Sequence, residues 1–242
     1  ASDVYKRQEE KPVDVYIGDS IVANNPAVKV DSTNRWSRLV SDADGATDLN
    51  VAVGGTGFLV YQGKTYSDQV DIALSRLKKS GTDVSQVRRV ILVGGGNDFQ
   101  KGIDATVIAK EAKAMQETAD KIKASFPAAQ YDYIPEVLAQ TKLNTKDVTA
   151  AKPYLPVIYQ LFKGKGFHVA EQWWDWLPDA YANGYAAPDD RHTTPKAHNV
   201  AAHRIVEWLN TLGEPQVAGQ VAEWADGGGT TKPAAVTIRY DA

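Results

Sequence analysis

Val13-Asp14-Val15-Tyr16-Ile17-Gly18-Asp19-Ser20 runs from a short β-branched strand into a Gly-Asp-Ser turn. A serine just past the carboxyl end of a buried strand is where α/β enzymes expose a nucleophile. Far downstream, Asp189-Asp190-Arg191-His192 brings a carboxylate and an imidazole three positions apart. Together these segments hold a nucleophile, a base and an acid to orient the base, the set that acyl transfer requires.

Working outward from that strand, apolar segments at 13–17, 49–53, 90–93, 131–134 and 167–170 read as five strands. Helical spacing separates them, over 34–43, 68–79 (Ile72, Leu74, Leu77), 105–126 and 153–163, with a last helix over 195–212. Pro195 suits the first turn of that last helix, and Gly213 lies past its end. Alternation of this kind predicts an α/β fold, three layers α/β/α around a five-stranded parallel sheet. Ligands bind such sheets at the carboxyl ends of strands. Gly18-Asp19-Ser20, Gly54-Gly55 and Gly94-Gly95-Gly96-Asn97-Asp98 each follow a strand directly, so three polar loops are expected on one rim. The longest insert, 136–152, is rich in Thr, Lys, Asn and Asp and is expected to offer polar contacts rather than an apolar tunnel.

Composition narrows the function classes. The chain has 242 residues, 43% hydrophobic and 24% charged, with a net charge of −3. That is enough for one α/β domain with a full core, and it lacks the basic footprint of a nucleic-acid binder. No apolar run is long enough to span a bilayer. With no cysteine, disulfides, thiolate metal sites and a Cys nucleophile are excluded, while the redox compartment stays open. The glycine runs match neither G-x-x-x-x-G-K-[ST] nor G-x-G-x-x-G, which argues against nucleotide binding and leaves no organic cofactor implied.

Each candidate residue has a plainer alternative. Ser20 fits a nucleophile or a helix cap. His192 fits a general base, with His198 and His203 as rivals. Asp189 and Asp190 compete to orient the imidazole. Asp189, Asp190, His192 and His198 together admit a metal reading, which would leave Ser20 and Asn97 without a role. The glycines serve tight turns or close approach of a ligand. Trp173, Trp174 and Trp176 fit equally a buried core or a platform on which a sugar ring stacks.

Taken in order, Gly18-Asp19-Ser20, Asn50-Val51-Ala52-Val53-Gly54-Gly55, Gly95-Gly96-Asn97-Asp98 and Asp189-x-x-His192 resemble the SGNH hydrolases, the GDSL esterase and lipase family, over residues 13 to 212. Ile21 and Thr193 depart from the residues many members carry, without touching the chemistry. The resemblance implies a flavodoxin-like fold and a serine esterase using Ser20, His192 and Asp189. It implies an oxyanion hole from the Ser20 and Gly55 backbone N–H groups and the Asn97 amide. It gives His198 a packing role and requires no metal or cofactor. The expected substrate is a small-molecule or glycan ester with a short acyl group; the alternatives are a lipid or general short-acyl esterase and a non-catalytic surface-binding module on the same fold, the last opposed by the intact nucleophile, base and oxyanion set.

At the ends, Ser2-Asp3-Val4-Tyr5-Lys6-Arg7-Gln8 reads as one frame of a transposon mosaic end used in sequencing libraries. Residues 1–8 are therefore expected to be adapter-derived, 9–213 to form the hydrolase domain, and 214–242 to be an extension with a flexible linker over 227–233. Residues 236–242 resemble the opening strand of an internalin-type B-repeat. On that basis the expected location is secreted or cell-surface.

Overall fold

The computed structural model describes residues 11–59, 63–100, 105–213, 215–225 and 229–230. The adapter-like segment and the repeat-like tail lie outside them.

The central strand is β1 (Val13–Ile17), buried along its whole length. It pairs in parallel with β2 (Thr47–Asn50) on one side and β3 (Val87–Val93) on the other. β4 (Gln130–Ile134) and the two-residue β5 (His168–Val169) extend the sheet in parallel, giving the order β2-β1-β3-β4-β5. Strands buried on both faces read as continuous apolar runs, and Val90, Ile91, Leu92 and Val93 are all fully buried. Because β1 sends its chain to β2 while β3 lies on its other side, the strand order reverses between β1 and β3. Open α/β sheets place a ligand crevice at such a switch point.

Helices α1 (Trp36–Ala43) and α7 (Pro195–Leu209) pack together, while α2 (Tyr66–Ser80), α4 (Ala105–Ser125) and α6 (Leu155–Gly164) pack in sequence. α2 starts with a full capping box, Thr65 and Asp68 each accepting the other's backbone N–H, and Gly81 closes it at φ 73°. Pro195 does open α7, which stops at Leu209, short of the predicted residue 212.

Three expectations shift. β2 begins and ends earlier than 49–53, because Val51 and Val53 leave the strand yet still bond to Tyr16 and Gly18 backbone oxygens. The insert 136–152, outside the helices read from the pattern, folds in part into α5 (Lys142–Ala151), where Thr141 accepts the Asn144 N–H as an N-cap. The Gly94–Asn97 loop closes into a single helical turn, α3 (Gly96–Phe99).

The extension beyond Gly213 lies on the domain. Val217, Val221 and Ala222 are buried, Gly219 N–H bonds to Ala43 O at 2.9 Å, and Asn199 holds Ala222 O at 2.6 Å. Of the predicted linker, Gly229–Thr230 is described, and it pairs as β7 with β6 (Trp224–Ala225).

Candidate active site

Ser20 stands in the turn after β1. That turn is clamped by Gln69, buried on α2, whose amide accepts Gly18 N–H at 2.9 Å and donates to Gly18 O at 2.8 Å. Asp19 accepts Ile21 N–H at 2.9 Å, and its own carbonyl accepts Val22 and Ala23. No helix starts at Ser20. α1 begins only at Trp36, so the capping alternative for this serine fails.

The loop before α7 brings the imidazole to the serine. His192 Nε2 lies 2.9 Å from Ser20 Oγ, across 172 positions of sequence, and His192 Nδ1 lies 2.5 Å from Asp189 Oδ2. The other Asp189 oxygen accepts the backbone N–H of His192 at 2.9 Å and of Arg191 at 3.1 Å. Partial burial works to raise the Asp189 pKa. The hydrogen bonds from the His192 ring and these two N–H groups outweigh it and bring the pKa down to about 2. An ionised carboxylate beside Nδ1 favours the tautomer that carries its proton there, which leaves Nε2 as an acceptor facing Ser20 Oγ.

Asp190 is the other half of the acidic pair, and it faces elsewhere. At φ 58° its side chain turns to the Tyr181 hydroxyl and to Leu143 N–H. His198 is buried, its Nδ1 accepting Trp36 N–H at 3.1 Å and its Nε2 meeting Thr193 Oγ1 at 3.1 Å. Burial pushes its pKa down to about 3 and keeps it neutral, a tie between α1 and the His192 loop. His203 sits half-buried on α7. With Asp190 and His198 bound to other partners, the four groups of the metal alternative do not converge.

Gly55 and Asn97 both line the same cleft as Ser20 and His192. Gly55 sits at φ 73°, a backbone that favours glycine. Among the described residues, neither the Ser20 nor the Gly55 N–H donates to another backbone or side-chain acceptor. Asn97 Nδ2 is held by Thr56 O at 2.8 Å and Asp19 Oδ2 at 3.1 Å. Its orientation is therefore preset, and one amide hydrogen would have to be shared with a substrate. Burial pushes Asp19 up to about 6, against hydrogen bonds from Ile21 N–H and Tyr66 OH that favour the carboxylate. Such a set can do nucleophilic acyl transfer: an activated hydroxyl, a base, and donors aimed where negative charge develops.

The tryptophans do not join this site. Trp173 and Trp176 are buried in the core, Trp173 donating to Tyr159 OH at 2.9 Å, and Trp174 is half-buried against Trp173. None of the three lines the cleft. Sequence reasoning also missed Gln69, Tyr66 and Glu136. Gln69 shares the buried face of α2 with Val70, Ala73 and Leu77, so a polar residue at an apolar-phase position was its only signal.

Residues 16–200 match the model of the GDSL-like Lipase/Acylhydrolase family. No match stands among curated protein sequences. Among solved structures, a family two carbohydrate esterase from Clostridium thermocellum, in complex with cellohexaose, is similar at TM-score 0.59 and 18% identity, covering 84% of this chain and 66% of that one. A carbohydrate acetylesterase from Sinorhizobium meliloti is similar at TM-score 0.58 and 15% identity, covering 84% and 100%. An acetyl xylan esterase from the rumen bacterium Butyrivibrio proteoclasticus gives 0.56 and 16%, covering 84% and 64%. The match thus spans a little under two thirds of the Clostridium and Butyrivibrio chains. At these identities the likeness establishes the fold.

Proposed function

Because the chain belongs to the GDSL-like lipase/acylhydrolase family, and so is a carboxylic ester hydrolase, we propose that it cleaves short-chain acyl esters through Ser20, His192 and Asp189, with O-acetylated carbohydrate as its substrate. The observation that carries this reading is the unbroken relay from Asp189 through His192 to Ser20, at 2.5 and 2.9 Å.

In the proposed reaction His192 Nε2 takes the Ser20 proton as Oγ attacks the ester carbonyl. The Ser20 and Gly55 N–H groups and the Asn97 amide meet the oxyanion, each such donor typically contributing ~3 kcal/mol. His192 returns the proton to the leaving alcohol, and a water activated by the same nitrogen then cleaves the acyl-enzyme. Asp189 holds the imidazole throughout.

The cleft supports a small polar substrate. It encloses about 400 Å³, and among the described residues Ile21 and Leu138 are the aliphatic side chains larger than alanine that line it. Asn24, Asn25 and Gln100 add uncharged polar groups, while Arg191 is paired with Asp147 at 2.7 Å. Carbohydrate as the alcohol is further supported by what the Clostridium, Sinorhizobium and Butyrivibrio neighbours are named for. The test is acetate release from acetylated xylan and acetylated glucomannan, set against fatty-acid release from long-chain glycerides. Release from a glycan with none from glycerides is expected, and the reverse result overturns the substrate class.

A further inference from the structure

Glu136 is the buried acid in the cleft that the proposed reaction does not use. It follows β4 by two residues, is 3% exposed, and lines the same cavity as Ser20 and Asn97. One oxygen, Oε2, accepts the backbone N–H of Gly96 at 3.1 Å. Glycine at 96 is what makes room for it, since a Cβ there would sit 2.5 Å from that oxygen. The other oxygen, Oε1, is buried and has no hydrogen-bond partner among the described residues. The backbone N–H groups of Gly96 and of the neighbouring Val137 both favour this carboxyl group, yet Oε1 still lacks a hydrogen bond of its own, and a buried polar atom in that state at a binding cleft calls for a partner.

We infer that Glu136 is a substrate-recognition residue, hydrogen-bonding a free hydroxyl of a polyhydroxylated ester beside the scissile bond. The inference rests on the carbohydrate reading above and sharpens it. Burial, reinforced by the nearby Asp19, raises the Glu136 carboxyl well above its ordinary range. That favours the neutral acid, a form that can both donate and accept. A sugar hydroxyl also does both, whereas an alkyl or aryl ester offers it nothing. Sites built to bond a hydroxyl discriminate against analogues that lack it, because the buried polar group is then left unpaired.

The experiment compares kcat/KM for a mono-O-acetylated methyl xyloside, its single-deoxy analogues, and cyclohexyl acetate, which has the ring without the hydroxyls. The native enzyme should prefer the xyloside over cyclohexyl acetate by ~10-fold or more, and one deoxy analogue should lose most of that preference. Glu136→Gln, which keeps an acceptor for Gly96 and a donor for the sugar, should retain the preference. Glu136→Leu should lose more activity on the xyloside than on cyclohexyl acetate, so that the preference collapses. Equal losses on both substrates, with the preference intact, would mean that Glu136 only braces Gly96. If Glu136→Leu does not fold, the deoxy series on the native enzyme decides alone: equal rates for every analogue overturn the inference. Hydrolysis of cyclohexyl acetate with none of any sugar ester would instead sink the carbohydrate reading itself.

Discussion

The carboxylate of Asp98 accepts the backbone N–H of Phe58 at 2.9 Å, forty residues back along the chain. Its second oxygen accepts Leu59 N–H at 3.0 Å. These bonds fasten the loop that carries Gly55 to the turn that carries Asn97, so two of the proposed oxyanion donors are set relative to each other by one buried side chain. Gly57 lies against the same carboxylate, and a Cβ there would come within 2.5 Å of it. Hydrogen bonds to a charged group contribute about 1.5–3 kcal/mol each, and a small misplacement of reacting groups costs up to ~10²-fold in rate. Asp98→Ala and Gly57→Ala should both lower kcat on an aryl acetate by ~10–10²-fold with little change in KM, and both should lower the melting temperature. A variant that melts early yet turns over normally would show that the clamp serves the fold alone.

The relay should behave as a unit. Ser20→Ala and His192→Ala are each expected to cut turnover by ~10³-fold or more, and the double variant should lose little beyond that. Asp189→Ala should be milder, and more damaging than Asp190→Ala, because Asp190 is spent on Tyr181 and Leu143. Asn97→Ala should lower kcat by ~10²–10³-fold, since the bond it makes is strongest in the transition state. Steady-state kinetics on p-nitrophenyl acetate check all of these. Most activity surviving in Ser20→Ala would rule out the serine mechanism.

A third prediction concerns pH. Glu111 on α4 is 1% exposed, with neither oxygen hydrogen-bonded among the described residues. Burial, and then the charge of Asp98, push its pKa from an ordinary 4.5 up to about 8. Between those values the folded protein holds a proton that the unfolded chain has released, so stability falls as pH rises through the window and the cost is complete above about 8. A shift of this size corresponds to roughly 3–5 kcal/mol. Replacing the acid by an apolar side chain of similar volume removes that cost. Glu111→Met should therefore be more stable than the native protein at pH 8 and nearly equal to it near pH 4. Thermal melts across that range give the difference between the two curves, and curves that run parallel would show that Glu111 does not titrate on folding.

How much of this was legible in the sequence depends on what each residue answers to. β1 was read to the residue because a central parallel strand is apolar on both faces, and Val13–Ile17 announces it. That Ser20, Gly55, Asn97 and His192 would come to one cleft, with Asp189 against His192, was legible because the segments carrying them follow in the order that the family resemblance implies. α5 was not, since its helix rests on the Thr141 cap and on a buried Asn144 that bonds Ala139 O and Arg191 O, contacts made only after folding. The tryptophans stayed ambiguous for a related reason. Aromatic rings carry the same signal whether they stack on a ligand or on each other, and only the fold separates the two by burying Trp173 and Trp176 away from the residues that line the cleft.

The acyl group accepted should be short. A cleft of about 400 Å³ whose larger aliphatic lining, among the described residues, is Ile21 and Leu138 offers little surface for a long alkyl chain, and Asn24, Asn25, Asn97 and Gln100 put polar groups along it. Each buried methylene is worth about 0.8 kcal/mol only where apolar walls receive it. Beyond the first few carbons a chain here would lie against Asn24, Asn25, Gln100 or solvent, gaining little per carbon. Rates on p-nitrophenyl esters should therefore be highest at acetate or propionate and fall steeply by octanoate. Leu138→Ala should widen the range toward butyrate and hexanoate, because the cavity it leaves is apolar and adjoins the reacting serine. A series that rises toward palmitate would overturn the short-acyl assignment and point to a lipase, while a flat series would show that the acyl chain extends away from the cleft.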